Sequence, residues 1–121
     1  RDLRMSRGLG DVYKRQAEYY LEGDDYLMYL PEYEEPVALL YLDTQNTFVN
    51  VYGVFVDEKL RGKGIGTCLM KHFLKDYFNI ASLPLVLNVT SRNKAAVALY
   101  KKCGFTEASR IEYHYINCPE N

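Results

Sequence analysis

The sequence predicts an α/β (α+β) domain: a mixed, central β-sheet with antiparallel hairpin strands, one parallel strand pair and flanking helices. Three observations predict it. Two short apolar runs, Tyr26–Leu30 and Val37–Leu42, flank a Pro31–Pro36 turn, as the arms of a hairpin do. A longer run, Thr47–Val56, leads through a glycine-rich loop into a helically spaced segment and then into a second apolar run, Leu85–Val89. In such a strand–helix–strand unit the two strands are parallel and the crossover is right-handed. Finally, Ile111, Tyr113 and Tyr115 alternate with Glu112 and His114, the period of a closing strand.

Composition narrows the function classes. The chain of 121 residues suits one domain with a sizeable core. Its 48% apolar and 26% charged residues are ordinary for a soluble globular protein. No apolar run approaches the ~20 residues of a membrane helix, so no membrane partner is expected. The first sixteen residues are polar and basic, without the apolar stretch of a secretory leader. Three cysteines, Cys68, Cys103 and Cys118, lack C-x-x-C spacing. They are expected as reduced thiols in a cytoplasmic protein. With only His72 and His114 to join them, no metal site is expected.

Charge is unevenly distributed. Residues 17–58 carry ten acids and no Lys or Arg, whereas residues 59–110 carry ten cations and two acids. The basic half suits a polyanionic cofactor, and the acidic half suits a cationic substrate or a solvated face.

Taken in order, residues 1–16 lack sustained periodicity and read as a non-native or disordered segment, with 17–121 as the domain. A nucleic-acid-binding arm is disfavoured, because Gly8, Leu9 and Gly10 interrupt the short basic cluster. Ala17–Gly23 reads as a short helical remnant. Gly53, inside the third strand, marks a bulge or a close backbone approach. The helix after the glycine loop runs to about Phe78, with Ile65, Leu69, Met70, Phe73, Leu74 and Tyr77 on its apolar face. Thr90–Asn93 supplies N-cap candidates for a helix over 94–103, and Gly104 is its natural stop. Phe105 and Ile111–Ile116 make the last strands.

The loop Arg61-Gly62-Lys63-Gly64-Ile65-Gly66-Thr67 carries the chemistry. Its glycines let the main chain approach a ligand closely. The first N–H groups of the following helix carry the positive end of its dipole, which makes an anion site, most often for phosphate. Arg61 and Lys63 add full charges. Two familiar phosphate loops fail on spacing. A P-loop needs a glycine where Asp57 stands, and a dinucleotide fingerprint needs one where Thr67 stands. A plain glycine-rich turn is the alternative, and the second half of the chain decides between them.

That half carries a second pattern. Asn93, Ala96, Tyr100, Gly104 and Phe105 match N-x-x-A-x-x-x-Y-x-x-x-G-F, while Arg61, Gly64 and Gly66 match [Q/R]-x-x-G-x-[G/A]. Both patterns, in this order and in this strand–helix context, resemble the GNAT superfamily of acetyl-CoA-dependent N-acyltransferases over roughly residues 25–117. The resemblance implies that the amides of Arg61–Gly66, with Thr67 beside them, bind the pyrophosphate of acetyl-CoA. It implies that Val54, Phe55 and Val56 expose main-chain groups to the pantetheine arm, and that Asn93 contacts the cofactor as well as capping its helix. Tyr100 matches the family's general acid. A phenol with a pKa of about 10 suits protonation of a departing thiolate and stays neutral at pH 7; packing against Ala96 is the structural alternative.

The implied function is transfer of an acetyl group to a primary amine of a small molecule or peptide by direct attack. Cys68 and Cys103 are then helix-packing residues. Two departures stand out. Asn88 occupies a place where some members carry Glu, and asparagine cannot be a general base; Asp43, Glu112 and His114 are candidates instead. The chain also has little room before its hairpin for the family's opening strand and helices, so it reads as an N-terminally shortened member. A non-catalytic CoA-binding or interaction module is the rival expectation. Exposed sheet edges leave a homodimer open.

Overall fold

A computed structural model describes residues 16–90 and 92–109 and the backbone of residues 112–115. The expectations for residues 1–15, Ile111, Ile116 and Cys118 fall outside the described residues. Seven strands form one sheet: β1 (Glu18–Glu22), β2 (Asp25–Tyr29), β3 (Ala38–Thr44), β4 (Val49–Val56), β5 (Leu85–Asn88), β6 (Thr106–Glu107) and β7 (Glu112–Tyr115). Their spatial order is β1-β2-β3-β4-β5-β7-β6. Helix α1 (Ile65–Ile80) crosses from β4 to β5, and helix α2 (Lys94–Lys102) follows β5. The β4–β5 pair is parallel and every other pair antiparallel, as the strand–helix–strand pattern requires.

Two-residue alternation decides which side chains meet the helices. Leu40 and Leu42 of β3, Val49 and Val51 of β4, and Leu85 and Leu87 of β5 point to one face and are buried. Against them α1 buries Ile65, Leu69, Met70, Phe73 and Leu74, the helically spaced set read from the sequence. Tyr77 donates from Oη to the Leu83 carbonyl at 3.0 Å, which fixes the turn after α1. The Val49 N–H then donates to the Pro84 carbonyl at 2.9 Å and starts the parallel ladder.

The expected helical remnant over Ala17–Gly23 is instead β1. Its ladder to β2 pairs Glu18 with Tyr29 and Glu22 with Asp25. A partner brought by the next turn thus outweighs a weak local pattern. Tyr19, facing α1, stacks on His72 with ring centroids 3.6 Å apart. Its hydroxyl lies 3.2 Å from Cys68 Sγ. Tyr26 on β2 donates to Asp76 Oδ2 at 2.6 Å and lies 2.8 Å from His72 Nδ1. Cys68, His72 and Asp76 are four residues apart along α1, so one helix stripe holds the first hairpin. Phe105, expected in a strand, is a buried core residue just before β6. No helix among the described residues is long and apolar enough to cross a membrane.

Burial, then the Asp76 carboxylate, pushes the Tyr26 phenol far above its ordinary value; burial and the Cys68 contact do the same to Tyr19. Both phenols therefore keep their protons in the fold at a pH where the unfolded chain loses them. The stability they contribute is complete below pH about 10 and falls as pH rises above it. Urea midpoints measured from pH 9 to pH 11 should decline, and Tyr26→Phe should flatten the decline.

Candidate active site

The site begins where the parallel ladder stops. β4 and β5 pair only through Val49–Leu85, Asn50–Val86 and Val51–Leu87, yet β4 continues to Val56. Its last residues are paired to β3 alone, through Val54–Leu40, Phe55–Leu39 and Val56–Ala38. The register to β3 shifts just before them: Leu42 faces Val51 and Leu40 faces Val54, so Tyr52 and Gly53 together stand opposite Tyr41. That is a bulge, and Gly53 carries it at φ 125°, a backbone conformation L side chains rarely adopt. The bulge turns the end of β4 away from β5 and leaves main-chain groups of the strand without a ladder on that side.

Tyr100 is aimed at this break. It sits in the last turns of α2, 5% exposed, with its ring beside Phe105. Its hydroxyl lies 3.5 Å from where a Cβ on Gly53 would be, which puts it in contact distance of the bulge. The Val54 N–H donates to Tyr100 Oη. Burial pushes the phenol above its ordinary value, while the Val54 hydrogen bond pulls it partly back. The group stays protonated at neutral pH.

The glycine loop closes the other end. After a 3₁₀ turn at Glu58–Leu60, capped by Asp57, the chain reaches Gly64, the N-cap of α1, at φ 82°. No side chain caps this helix. The N–H groups of Ile65, Gly66 and Thr67, which have no intrahelical acceptor, are therefore available to an anion. A Cβ on Gly66 would meet Leu99 Cδ1 at 3.0 Å and Val54 Cγ1 at 3.2 Å, so a side chain here would push α2 or the strand's side chains back by a few tenths of an ångström. Arg61 Nε donates to the Val56 carbonyl at 3.1 Å and ties the loop to the strand end. The remaining guanidinium donors are left for a ligand.

A cleft of about 690 Å³ joins these parts. Val54, Phe55, Val56, Arg61, Gly62, Gly64, Ile65, Gly66, Asn93 and Tyr100 all line it, as does Thr67. Lys63 does not; it is exposed at the loop apex between two positive-φ glycines. Asn93 caps α2 by accepting the Ala96 N–H on Oδ1 at 3.1 Å, and its amide nitrogen is not used in that cap. Lys102 lines the cleft and was missed by sequence reasoning. The signal was there: Ala95, Ala98, Leu99 and Lys102 fall on one helical face. No Asp or Glu lines the cleft among the described residues. Asn88 is exposed at the end of β5, and the side chains of Glu112 and His114 lie outside the described residues. Cys103 is buried at the end of α2 and Cys68 is half-buried against Tyr19, both as packing residues.

Cationic side chains and free helix amides at one end, unpaired strand edge in the middle and a protonated phenol at the other suit an elongated ligand with an anionic head. The model of the acetyltransferase (GNAT) family matches residues 4–105. The chain belongs to the GNAT family of acetyltransferases. Its acyl donor is acetyl-CoA, and its acceptors are amines. It is 31% identical over 113 residues to peptidyl-lysine N-acetyltransferase YjaB of Escherichia coli strain K12, covering 85% of this chain and 71% of that one. Its fold matches the ribosomal-protein-S18-alanine N-acetyltransferase from Escherichia coli with a TM-score of 0.66 and 19% identity, over 90% of this chain and 87% of that one. It also matches a putative streptothricin acetyltransferase from Bacillus anthracis str. Ames in complex with acetyl coenzyme A, with a TM-score of 0.64 and 21% identity, over 77% and 62% of the two chains.

Gly64→Glu should abolish CoA binding, because it forces a carboxylate and a strained φ onto the anion site. By isothermal titration the affinity should drop roughly 100-fold or more, the loss of several charge-assisted hydrogen bonds. Circular dichroism should report an unchanged fold.

Proposed function

We propose that this GNAT enzyme acetylates a primary amine by direct attack on the thioester, with Tyr100 as the general acid. The observation that carries this is the buried Tyr100 hydroxyl beside Gly53, at the break between β4 and β5. Bound acetyl-CoA supplies an activated acetyl group and a thiolate leaving group. The loop amides, Arg61 and Lys102 hold its phosphates, and the free edge of Val54–Val56 orients the arm toward Tyr100. The phenol supplies the proton that the departing sulfur needs, and burial keeps bulk water from competing for it. A free N–H on the same strand segment suits the developing charge on the thioester oxygen. No covalent nucleophile is required, which agrees with the packing roles of both described cysteines. Peptidyl lysine, a ribosomal-protein alanine and spermine or spermidine, the acceptors named for three relatives, are the first acceptors to try.

Tyr100→Phe should lower kcat roughly 100-fold, the usual loss of a positioned acid, and leave CoA affinity within a factor of about two. Because the acid works protonated and its pKa is raised, the wild-type rate should hold on the alkaline side until pH exceeds about 10. Steady-state rates across pH in both proteins check this. An unchanged kcat in the variant overturns the role of Tyr100.

A further inference from the structure

Tyr100 stands at an unfavourable place in its helix. α2 has nine residues, and Tyr100 is the third from its end. Short helices are marginal on their own, and their last turns fray. The final carbonyls also lack intrahelical N–H partners. A proton donor held only by such a turn would be loosely placed, and a misplacement of about 1 Å can cost roughly 100-fold in rate.

The chain that follows α2 removes this freedom. The Gly104 N–H donates to the Lys101 carbonyl at 3.1 Å, and the Phe105 N–H donates to the Tyr100 carbonyl at 3.0 Å. These two nested bonds are a Schellman cap, with Gly104 at φ 103°, a conformation that favours glycine. The residue that accepts the outer bond is Tyr100 itself. Its carbonyl also accepts the Cys103 N–H at 3.2 Å, so both lone pairs are engaged. A cap of this kind is accompanied by an apolar contact between the two residues of the outer bond. Here that contact is ring against ring: the Phe105 and Tyr100 centroids are 5.9 Å apart, with the planes at 59°. Phe105 is 4% exposed, so its ring has no room to swing away from the phenol. One cap therefore fixes Tyr100 twice, through the main chain and through the ring. Neither Gly104 nor Phe105 lines the cleft.

We propose that Gly104 and Phe105 are positioning residues for the proton donor. The cap they form holds the Tyr100 hydroxyl beside Gly53, and loosening it slows the chemical step without releasing the cofactor. This rests on the role of Tyr100 proposed above. Neither residue touches the reacting atoms.

Two variants test it from opposite sides. Phe105→Leu keeps apolar bulk and removes the ring, whereas Gly104→Ala keeps the ring and strains the cap. Rates are read by thiol release from acetyl-CoA with a lysine-containing peptide as acceptor, and CoA affinity by isothermal titration. Each variant should lower kcat roughly tenfold and leave CoA affinity within about threefold. In a Tyr100→Phe background, Phe105→Leu should cost less than about twofold, because no hydroxyl is left to misplace. Equal losses in both backgrounds would make Phe105 a packing residue alone and overturn the inference. A slow Tyr100→Phe beside a full-rate Phe105→Leu and a full-rate Gly104→Ala also overturns it, while leaving the acid role of Tyr100 intact. A Tyr100→Phe chain as fast as the wild type removes that role, and the inference with it. Carbon-13 spectra of the tyrosine rings give a readout that needs no acceptor. The Tyr100 signal, assigned by its loss in Tyr100→Phe, should titrate at lower pH in Phe105→Leu than in the wild type, because burial is what raises the phenol. A titration that does not move in Phe105→Leu counts against the inference.

Discussion

One extra residue in β4 governs the molecule. If the ladder between β3 and β4 ran in constant register, β4 could continue beside β5, and its edge groups would be consumed in backbone hydrogen bonds. The bulge at Tyr52-Gly53 ends that pairing after Val51. Everything useful then gathers at the gap. Tyr100 reaches it from α2, and the glycine loop turns back over it. The gap also explains why Gly53 is glycine: its φ of 125° is one that L side chains rarely adopt.

Arg61 and Lys102 line the cleft, whereas no Asp or Glu lines it among the described residues. Tyr100 lines the same cleft, and burial keeps its phenol protonated where a surface carboxylic acid would be ionised at neutral pH. Arg61 is partly committed within the protein, since its Nε secures the Val56 carbonyl; it orders the loop before any ligand arrives.

Much of this was legible in the residues. Gly53 inside an apolar run announced the bulge, and the glycine loop after it announced an uncapped helix start. Asn93 was readable as a cap because its distance to the following apolar positions is local information. What escaped depended on distant partners. Residues 17–23 read locally as a helical remnant, because the strand identity of β1 comes from a ladder to β2 and from Tyr19 meeting Cys68 and His72 of α1, forty-nine and more residues away. That Lys102 rather than Lys63 lines the cleft was hidden for a similar reason. Position in a motif does not say which way a loop apex points, whereas the face of α2 turned toward the cleft is set by Leu99 against Gly66. The Tyr41–Tyr52 ring contact was invisible for the same cause, since the bulge brings Tyr52 opposite Tyr41.

The central claim is that the strand edge freed by the bulge, together with the uncapped start of α1, holds the acetyl donor through main-chain N–H groups. The most direct test is a titration of the ¹⁵N-labelled chain with CoA, followed by amide chemical shifts. The largest changes should fall on Val54–Val56 and on Gly62–Thr67, with little movement in the β1–β2 hairpin. Saturable CoA binding that leaves both of those segments unshifted would contradict it.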